Sequence, residues 1–377
     1  MAPFVWAGWL AGMIFPLKQR PGAFMFFPSA DIGGAPQVNI DITHCVADLR
    51  PLIIFSKRPR NNQFKTLFHE TGVDCLDLSP FIDRKIAHFV NFFFRGVLAS
   101  WISRAGNPVV FGGESLYFYK VIPHLPRRIR CIELCHLPTW LPYSIGFVER
   151  IDTRVFSTRH LQNLVMRQYE AAQILPELRQ RLCFIENAID LPEEEKSDHA
   201  LLEVVFIGRG APQKRVPLIG AIARQMHEAG DPVHFSFVGD VQNVLDPSSL
   251  PYCRFYGNVS DSTMMRTIYR GSDVLLLTSA YEGLPVVVMT MMAYGRTIVT
   301  TAVNALPDYI RHMDNGLLIT ETDDGRIVEQ GIAWLRLLIR QPELLKQFGE
   351  KNRELAIQKF NRRVFCKEYR QLFIPKA

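Results

Sequence analysis

The chain contains no Asp-x-Asp triplet, no Cys-x-x-Cys pair, no internal repeat and no apolar run of bilayer length. Without Asp-x-Asp, no close carboxylate pair stands ready to chelate a divalent cation, so neither a metal nor another cofactor is expected. The seven cysteines, Cys45, Cys75, Cys131, Cys135, Cys183, Cys253 and Cys366, are odd in number and lack paired ligand spacing. That pattern argues against a disulfide framework and against a zinc site, and it fits a reducing cytosol. Cys131-Ile-Glu-Leu-Cys135-His136 has metal-ligand residue types, but its apolar strand setting predicts buried thiols. Met1 to Leu17 has no charged side chain, yet it falls short of the roughly 20 apolar residues a spanning helix needs. Pro3, Gly8, Gly12 and Pro16 weaken it further, and no basic segment precedes it as in a secretory signal. Two readings stay open for this stretch. It lies in a membrane interface with Trp6 and Trp9 at headgroup depth, or it packs as a strand or helix on the first domain.

At 377 residues the chain exceeds the usual size of a single core, so two domains are expected. Hydrophobic residues at 48% and charged ones at 21% describe a well-cored protein and exclude a disordered one. The net charge of +6 is uneven: up to Cys183 there are 21 Lys and Arg against 13 Asp and Glu. A basic first half suits an anionic membrane surface or a phosphate-bearing acceptor, with an ordinary solvated surface as the alternative. No nucleic-acid module is present and the basic residues are not interleaved with a stacking platform, so no nucleic-acid partner is expected.

Apolar runs alternate with helical stretches along the whole chain, which is the pattern of parallel α/β domains. Strands are expected at Ala23–Pro28, Leu52–Phe55, Pro108–Phe111, Ile129–Leu134 and Arg154–Phe156, with a long aromatic helix from Ile82 to Ile102. A polar, acidic stretch from Pro192 to Asp198 reads as a linker. After it, strands are expected at Glu203–Gly208, His234–Gly239, Cys253–Gly257, Val274–Leu277 and Thr297–Thr301, followed by charged helices from about Gly325 to Phe373. Ligands of such a sheet bind at the carboxyl ends of its strands.

The most informative run is Tyr281-Glu282-Gly283-Leu284-Pro285, reached from the apolar strand Asp273–Ser279 and left by an apolar helix through Thr290 to Gly295. A carboxylate followed by Gly and Pro at a strand-to-helix turn sets an acid beside exposed backbone N–H groups. Such a turn can grip a ligand's hydroxyls and its anionic group together. Earlier, Ile207-Gly208-Arg209-Gly210-Ala-Pro-Gln-Lys214 ends a strand in Gly and places Arg209 and Lys214 five apart, with Arg215 adjacent. Two cations so placed can flank a diphosphate; a solvated basic turn is the plainer reading.

The Glu282 run closely resembles the donor-sugar loop of retaining GT-B glycosyltransferases of the large family 4 (group 1) type. The resemblance covers about Phe24 to Phe373 and is densest from Val204 to Leu318. It implies an α/β, GT-B fold: two Rossmann-like, doubly wound parallel-sheet domains with a cleft between them. The boundaries expected are 1–187 for an acceptor-side domain with 1–20 as an apolar extension, 188–358 for a nucleotide-sugar donor domain, and 359–377 for a helix returning toward the first domain. Asn187-Ala188-Ile189-Asp190 resembles the family's hinge strand.

By the same resemblance, Glu282 contacts donor-sugar hydroxyls, Arg209 and Lys214 stabilise the departing diphosphate, and Gly33 and Gly34 let the backbone approach donor phosphates. Asn258 and Val259 fall in the loop that touches the base, and Gly283, Leu284 and Pro285 complete the donor loop. His136 is the polar candidate from the first domain, with His44 and His160 expected to be structural. Asn304 to Pro307 and Asp314 to Leu317 fit late turns of the donor domain. The family usually carries a second glutamate separated from the first by seven residues; here Thr290 stands in its place and would hold the ribose. The expected activity is that of a hexosyl- or related transferase moving sugar from a nucleotide-sugar donor to a lipid-linked or cell-surface glycan acceptor. It would work at the cytosolic face of the inner membrane, in polysaccharide or lipopolysaccharide synthesis. The alternatives are a GT-B epimerase or phosphorylase, or a degenerate subunit that binds sugar nucleotide or a partner transferase.

Overall fold

Two parallel sheets organise the chain, whose computed structural model describes residues 2–84, 88–136, 141–192 and 200–374. Most of the expected acidic linker (193–198) and the Leu137-Pro138 step after His136 lie outside the described residues. One compact unit comprises Met1–Glu186 with Arg363–Ala377, and the other Asn187–Arg362.

In the first unit the strands are β1 (Ala23–Phe27), β2 (Leu52–Phe55), β3 (Asp74–Asp77), β4 (Val109–Gly113), β5 (Arg130–Cys135), β6 (Thr153–Phe156) and β7 (Leu182–Phe184). Their order is β3-β2-β1-β4-β5-β6-β7, and every described pairing is parallel. All five residues of β1 are buried, because a central parallel strand is covered on both faces and so tolerates an unbroken apolar run. Strand β3, Asp-Cys-Leu-Asp, escapes a sequence reading: it is a partly exposed edge strand with neither an apolar run nor β-branched residues.

The stretch left open at the start of the chain is a helix, Ala2–Ile14, packed on the helix His88–Arg104. Glycines permit the contact. A Cβ on Gly8 would stand 1.9 Å from the Phe93 carbonyl oxygen, and one on Gly96 would stand 1.9 Å from that of Val5. Backbone therefore touches backbone from both sides, and the Trp101 indole N–H donates to the Phe15 carbonyl at 2.9 Å. The packing leaves an apolar face outward, with Trp6 68% and Phe15 71% exposed.

The last helix, Arg362–Phe373, adds Phe365, Tyr369 and Phe373 to the first unit's interior, with Tyr369 and Phe373 against Phe111. Arg370 pairs with Asp48 at 2.5 Å. Here the expectation of unpaired thiols is corrected: Cys45 and Cys366 form a disulfide across 321 residues of sequence. Spacing along the chain could not reveal it, since only the tertiary fold brings the last helix to Cys45 across 321 residues. Closing so long a loop stabilises by about 2–4 kcal/mol. In oxidised protein Cys366→Ser is expected to lower the first unit's thermal midpoint by several degrees; in protein held in reductant it should change nothing.

The second unit has β8 (Leu202–Ile207), β9 (Val233–Val238), β10 (Arg254–Gly257), β11 (Val274–Leu277), β12 (Thr297–Thr301) and β13 (Gly316–Ile319), in the order β10-β9-β8-β11-β12-β13. Every described pairing is again parallel. Gly316-Leu317, read from sequence as part of a turn, opens the fully buried strand β13. The order reverses direction between β8 and β11, and loops leaving the carboxyl ends of those two strands diverge from a topological switch point, where open α/β sheets bind ligands.

Candidate functional site

The two switch-point loops of the second unit are tied together by an ion pair. Lys214, on the loop after β8, places its Nζ 2.5 Å from the Glu282 Oε1 on the loop after β11. Both side chains are largely withdrawn from water, at 12% and 6% exposed. Around the pair the backbone is laced in place. The Ala280 N–H donates to the Gln213 carbonyl at 2.8 Å, and the Gln213 amide donates to the Tyr281 carbonyl at 2.8 Å. Asn304, in the left-handed region at φ 47°, accepts from the Glu282 N–H at 3.0 Å. Arg215 donates to the carbonyls of Thr278 and Ser279 at 2.7 and 3.1 Å, so its role is to fasten the loops. Sequence reasoning found Lys214 and Glu282 but not Gln213, and it placed Asn304 only in a turn. An amide side chain has no sequence signature until its acceptor is known.

Lys214 has three ammonium N–H groups and spends one on Glu282, so two remain for a ligand anion. Arg209, on the same loop, is exposed. The helix Val286–Ala293 begins after Pro285 without a side-chain cap, so its first N–H groups are also open to an anion. Glu282, Gly283, Leu284 and Pro285 therefore line the approach to a helix N-terminus, with Leu284 buried beneath them. Thr290 stands one turn into this helix and donates its hydroxyl to the Val286 carbonyl at 2.9 Å. Its lone pairs can still accept a ligand hydroxyl, but its proton is committed to its own helix.

Beside this loop the carboxyl ends of β8, β9 and β10 close up through glycines. The Gly208 N–H donates to Val238 at 3.0 Å and the Gly239 N–H to Gly257 at 2.7 Å. Gly239 lies at φ 117°, and a Cβ there would come 1.9 Å from the Gly208 carbonyl oxygen. Asp240 accepts the Gly210 N–H at 2.9 Å and holds the basic loop in register. Asn258 is exposed and Val259 half-buried just past β10, at the same edge of the sheet.

The remaining candidates belong to the first unit. Gly33 is the cap position and Gly34 the first residue of the helix Gly34–Cys45, which again starts without a side-chain cap. The turn before it is ordered by Asp31, whose carboxylate accepts the N–H groups of Arg60, Asn61 and Asn62 at 2.9, 2.9 and 3.0 Å. Burial pushes the Asp31 carboxyl up, but these N–H donors and Ser29 hold it below its usual range. His136 follows β5, and its backbone N–H donates to Glu114 at 2.8 Å. Burial pushes the imidazole down to about 4, so it is neutral at pH 7, and its Nε2 is buried with no partner among the described residues. His44 is exposed and His160 half-buried. Cys131 and Cys135 are buried free thiols, both pushed upward by burial.

Residues 202–336, nearly all of the second unit's sheet with its loops, match the model of the family described as Glycosyl transferases group 1. The second unit is a group 1 glycosyl transferase domain. Over 102 residues the chain is 29% identical to N-acetyl-alpha-D-glucosaminyl L-malate synthase of Bacillus anthracis, a match to 27% of this chain. It spans about a quarter (26%) of that relative's length. Among solved structures, HepE of Anabaena in complex with UDP-glucose superposes with a TM-score of 0.72 at 15% identity, over 93% of this chain and 98% of that one. TarM of S. aureus, solved with fondaparinux, alpha-GlcNAc-glycerol and UDP, gives 0.72 at 13% identity, over 94% and 99%. A glycosyltransferase from Rickettsia africae gives 0.71 at 12% identity, over 95% and 98%. The two parallel-sheet units have the GT-B fold.

Proposed function

We propose that the chain is a retaining glycosyltransferase that moves a sugar from a nucleoside diphosphate to a lipid-linked or cell-surface glycan acceptor. The Lys214–Glu282 pair across the switch point of a group 1 domain carries this reading. In sugar transfer the anomeric carbon becomes oxocarbenium-like while negative charge grows on the departing diphosphate. Lys214, Arg209 and the open N–H groups before Val286 are the groups that answer that charge, without a divalent metal. Glu282, held at its amide by Asn304 and at its carboxylate by Lys214, accepts from donor-sugar hydroxyls. In the first unit, the uncapped helix start at Gly33-Gly34 suits a phosphate, and the neutral His136 can exchange hydrogen bonds with sugar or acceptor hydroxyls without adding charge. UDP-linked sugars are the first donors to try, since HepE was solved with UDP-glucose.

The test is calorimetric titration with a panel of UDP-, GDP- and ADP-sugars, followed by turnover with chelator present. Binding with slow donor hydrolysis that survives chelation supports the reading. No binding to any member favours a non-enzymatic subunit, and turnover restored only by a divalent cation refutes metal independence. Thr290 bears on this directly, because its committed hydroxyl donor makes it a weaker ribose ligand than a carboxylate. Thr290→Glu is expected to tighten donor binding by up to about 10-fold, the worth of one charge-assisted hydrogen bond.

Among the described residues no helix is long and apolar enough to cross a membrane. We propose instead that the outward face of Ala2–Ile14, with Phe4, Trp6, Trp9 and Ile14, lies in the interface of an anionic membrane at the cytosolic side. Co-sedimentation with vesicles checks this: loss of binding in a Trp6→Ser/Trp9→Ser variant supports it, and unchanged binding refutes it.

A further inference from the structure

A pocket of about 500 Å³ opens in the first unit, lined by none of the candidate donor-site residues. Its walls come from the N-terminal helix, the helix His88–Arg104, the helix Leu116–Val121 with the turn after it, and the segment around Tyr143 and Phe147. The lining is nearly all carbon, supplied by Val5, Trp6, Phe92, Tyr143 and Phe147. Yet three basic side chains, Arg95, Lys120 and His124, also face it.

Among the described residues none of these three groups is in an ion pair. The Arg95 Nε donates to Asn91 at 2.9 Å and its guanidinium lies 4.2 Å from the Phe92 ring centre, which leaves its remaining N–H groups open. Asp83, the acid whose charge reaches Lys120, already accepts the Arg58 backbone N–H at 2.9 Å. Burial and the Arg95 charge push both Lys120 and His124 downward, the response of cations gathered in an apolar place without an anion. Gathering like charges against carbon costs free energy unless an anion completes the cluster. From the pocket, the exposed apolar face of the N-terminal helix continues through Phe4, which packs on Phe89. A ligand that satisfies both features has an anionic head and a hydrocarbon tail.

We propose that this pocket binds the phosphate head group of a lipid, with Arg95, Lys120 and His124 on the phosphate and Val5, Trp6 and Phe147 along the first carbons of the chain. The phosphate comes either from the bilayer's own anionic phospholipid or from the anchor of a lipid-linked acceptor. Only the second source rests on the proposed transferase function, and binding is measured without nucleotide sugar, so the two readings fail separately.

The experiment uses the full chain and follows the emission of Trp6, which lines the pocket, as dodecyl phosphate is added below its micellar concentration. Dodecyl phosphate is expected to bind at least about 10-fold more tightly than inorganic phosphate or dodecyl maltoside. Lys120→Gln and Arg95→Gln should each weaken it by about 10-fold without lowering the melting temperature or altering the circular dichroism. Trp6→Phe should remove the optical signal while calorimetric affinity persists. Equal affinity for dodecyl maltoside, or indifference to both cation variants, overturns the proposal. Vesicle arms then separate the sources. Recruitment to phosphatidylcholine vesicles by a trace of long-chain prenyl phosphate supports the acceptor anchor, and recruitment only by abundant phosphatidylglycerol supports bulk lipid. Recruitment by neither overturns the site.

Discussion

Replacing Lys214 with alanine is expected to lower kcat/KM for the matching nucleotide sugar by roughly 10²–10³-fold. The ammonium is buried to 12% exposure, so solvent screens it little, and its two open N–H groups are the most protected cationic donors in the candidate site. Charge that appears on the diphosphate only as the bond breaks is stabilised more than the ground state, so the loss should fall chiefly on kcat. Glu282→Ala should also reduce transfer, because it removes the proposed acceptor of sugar hydroxyls and the partner that holds Lys214. Since the two residues act as one unit, the double variant should lose far less than the product of the single losses. Steady-state kinetics on the three proteins, each checked by thermal melting, decides the matter. Transfer unchanged in Glu282→Ala would show that the role assigned to this carboxylate is wrong.

The second large effect is on stability. Glu133→Ala is expected to destabilise the first unit by about 3–5 kcal/mol, since it leaves the Arg154 guanidinium charged and unpaired in the interior. Arg154 and Glu133 lie 2.5 Å apart on neighbouring strands β6 and β5, each only 1% exposed. Burial alone would push the Arg154 guanidinium down, but Glu133 beside it holds it charged and above its ordinary range. Arg154 also donates to the Ser144 carbonyl at 3.2 Å, and Glu133 accepts the Tyr119 hydroxyl and, at 3.3 Å, the Cys135 thiol. Urea unfolding followed by tryptophan emission suits the measurement, because Trp6, Trp9 and Trp101 belong to the first unit. A paired replacement, Glu133→Leu with Arg154→Met, should recover most of the loss. A loss below about 1 kcal/mol for Glu133→Ala would mean that water reaches the guanidinium.

Residues that act through local pattern are legible in the sequence. Val274–Leu277 and Thr297–Thr301 were placed residue for residue, because buried parallel strands are short apolar runs bounded by polar turns. The Glu282 turn was legible for the same reason: strand, acid, Gly, Pro and helix follow one another within a single stretch. Edge strand β3 and late strand β13 were missed, one lacking an apolar run and the other opening on a glycine that read as a turn.

By itself the sequence determined the alternation of strands and helices, the division into two α/β units, and which loop holds Glu282 and which holds Lys214. Tertiary structure alone decided what meets what across the fold. It set Lys214 against Glu282 across 68 residues, Glu133 against Arg154, Cys45 against Cys366, and Gly96 against the backbone of the N-terminal helix. The physical reason is one of range. Periodicity and turn chemistry act over a few residues and are written in order along the chain. Charge pairing, disulfide formation and backbone contact depend on strand order, which no local pattern encodes.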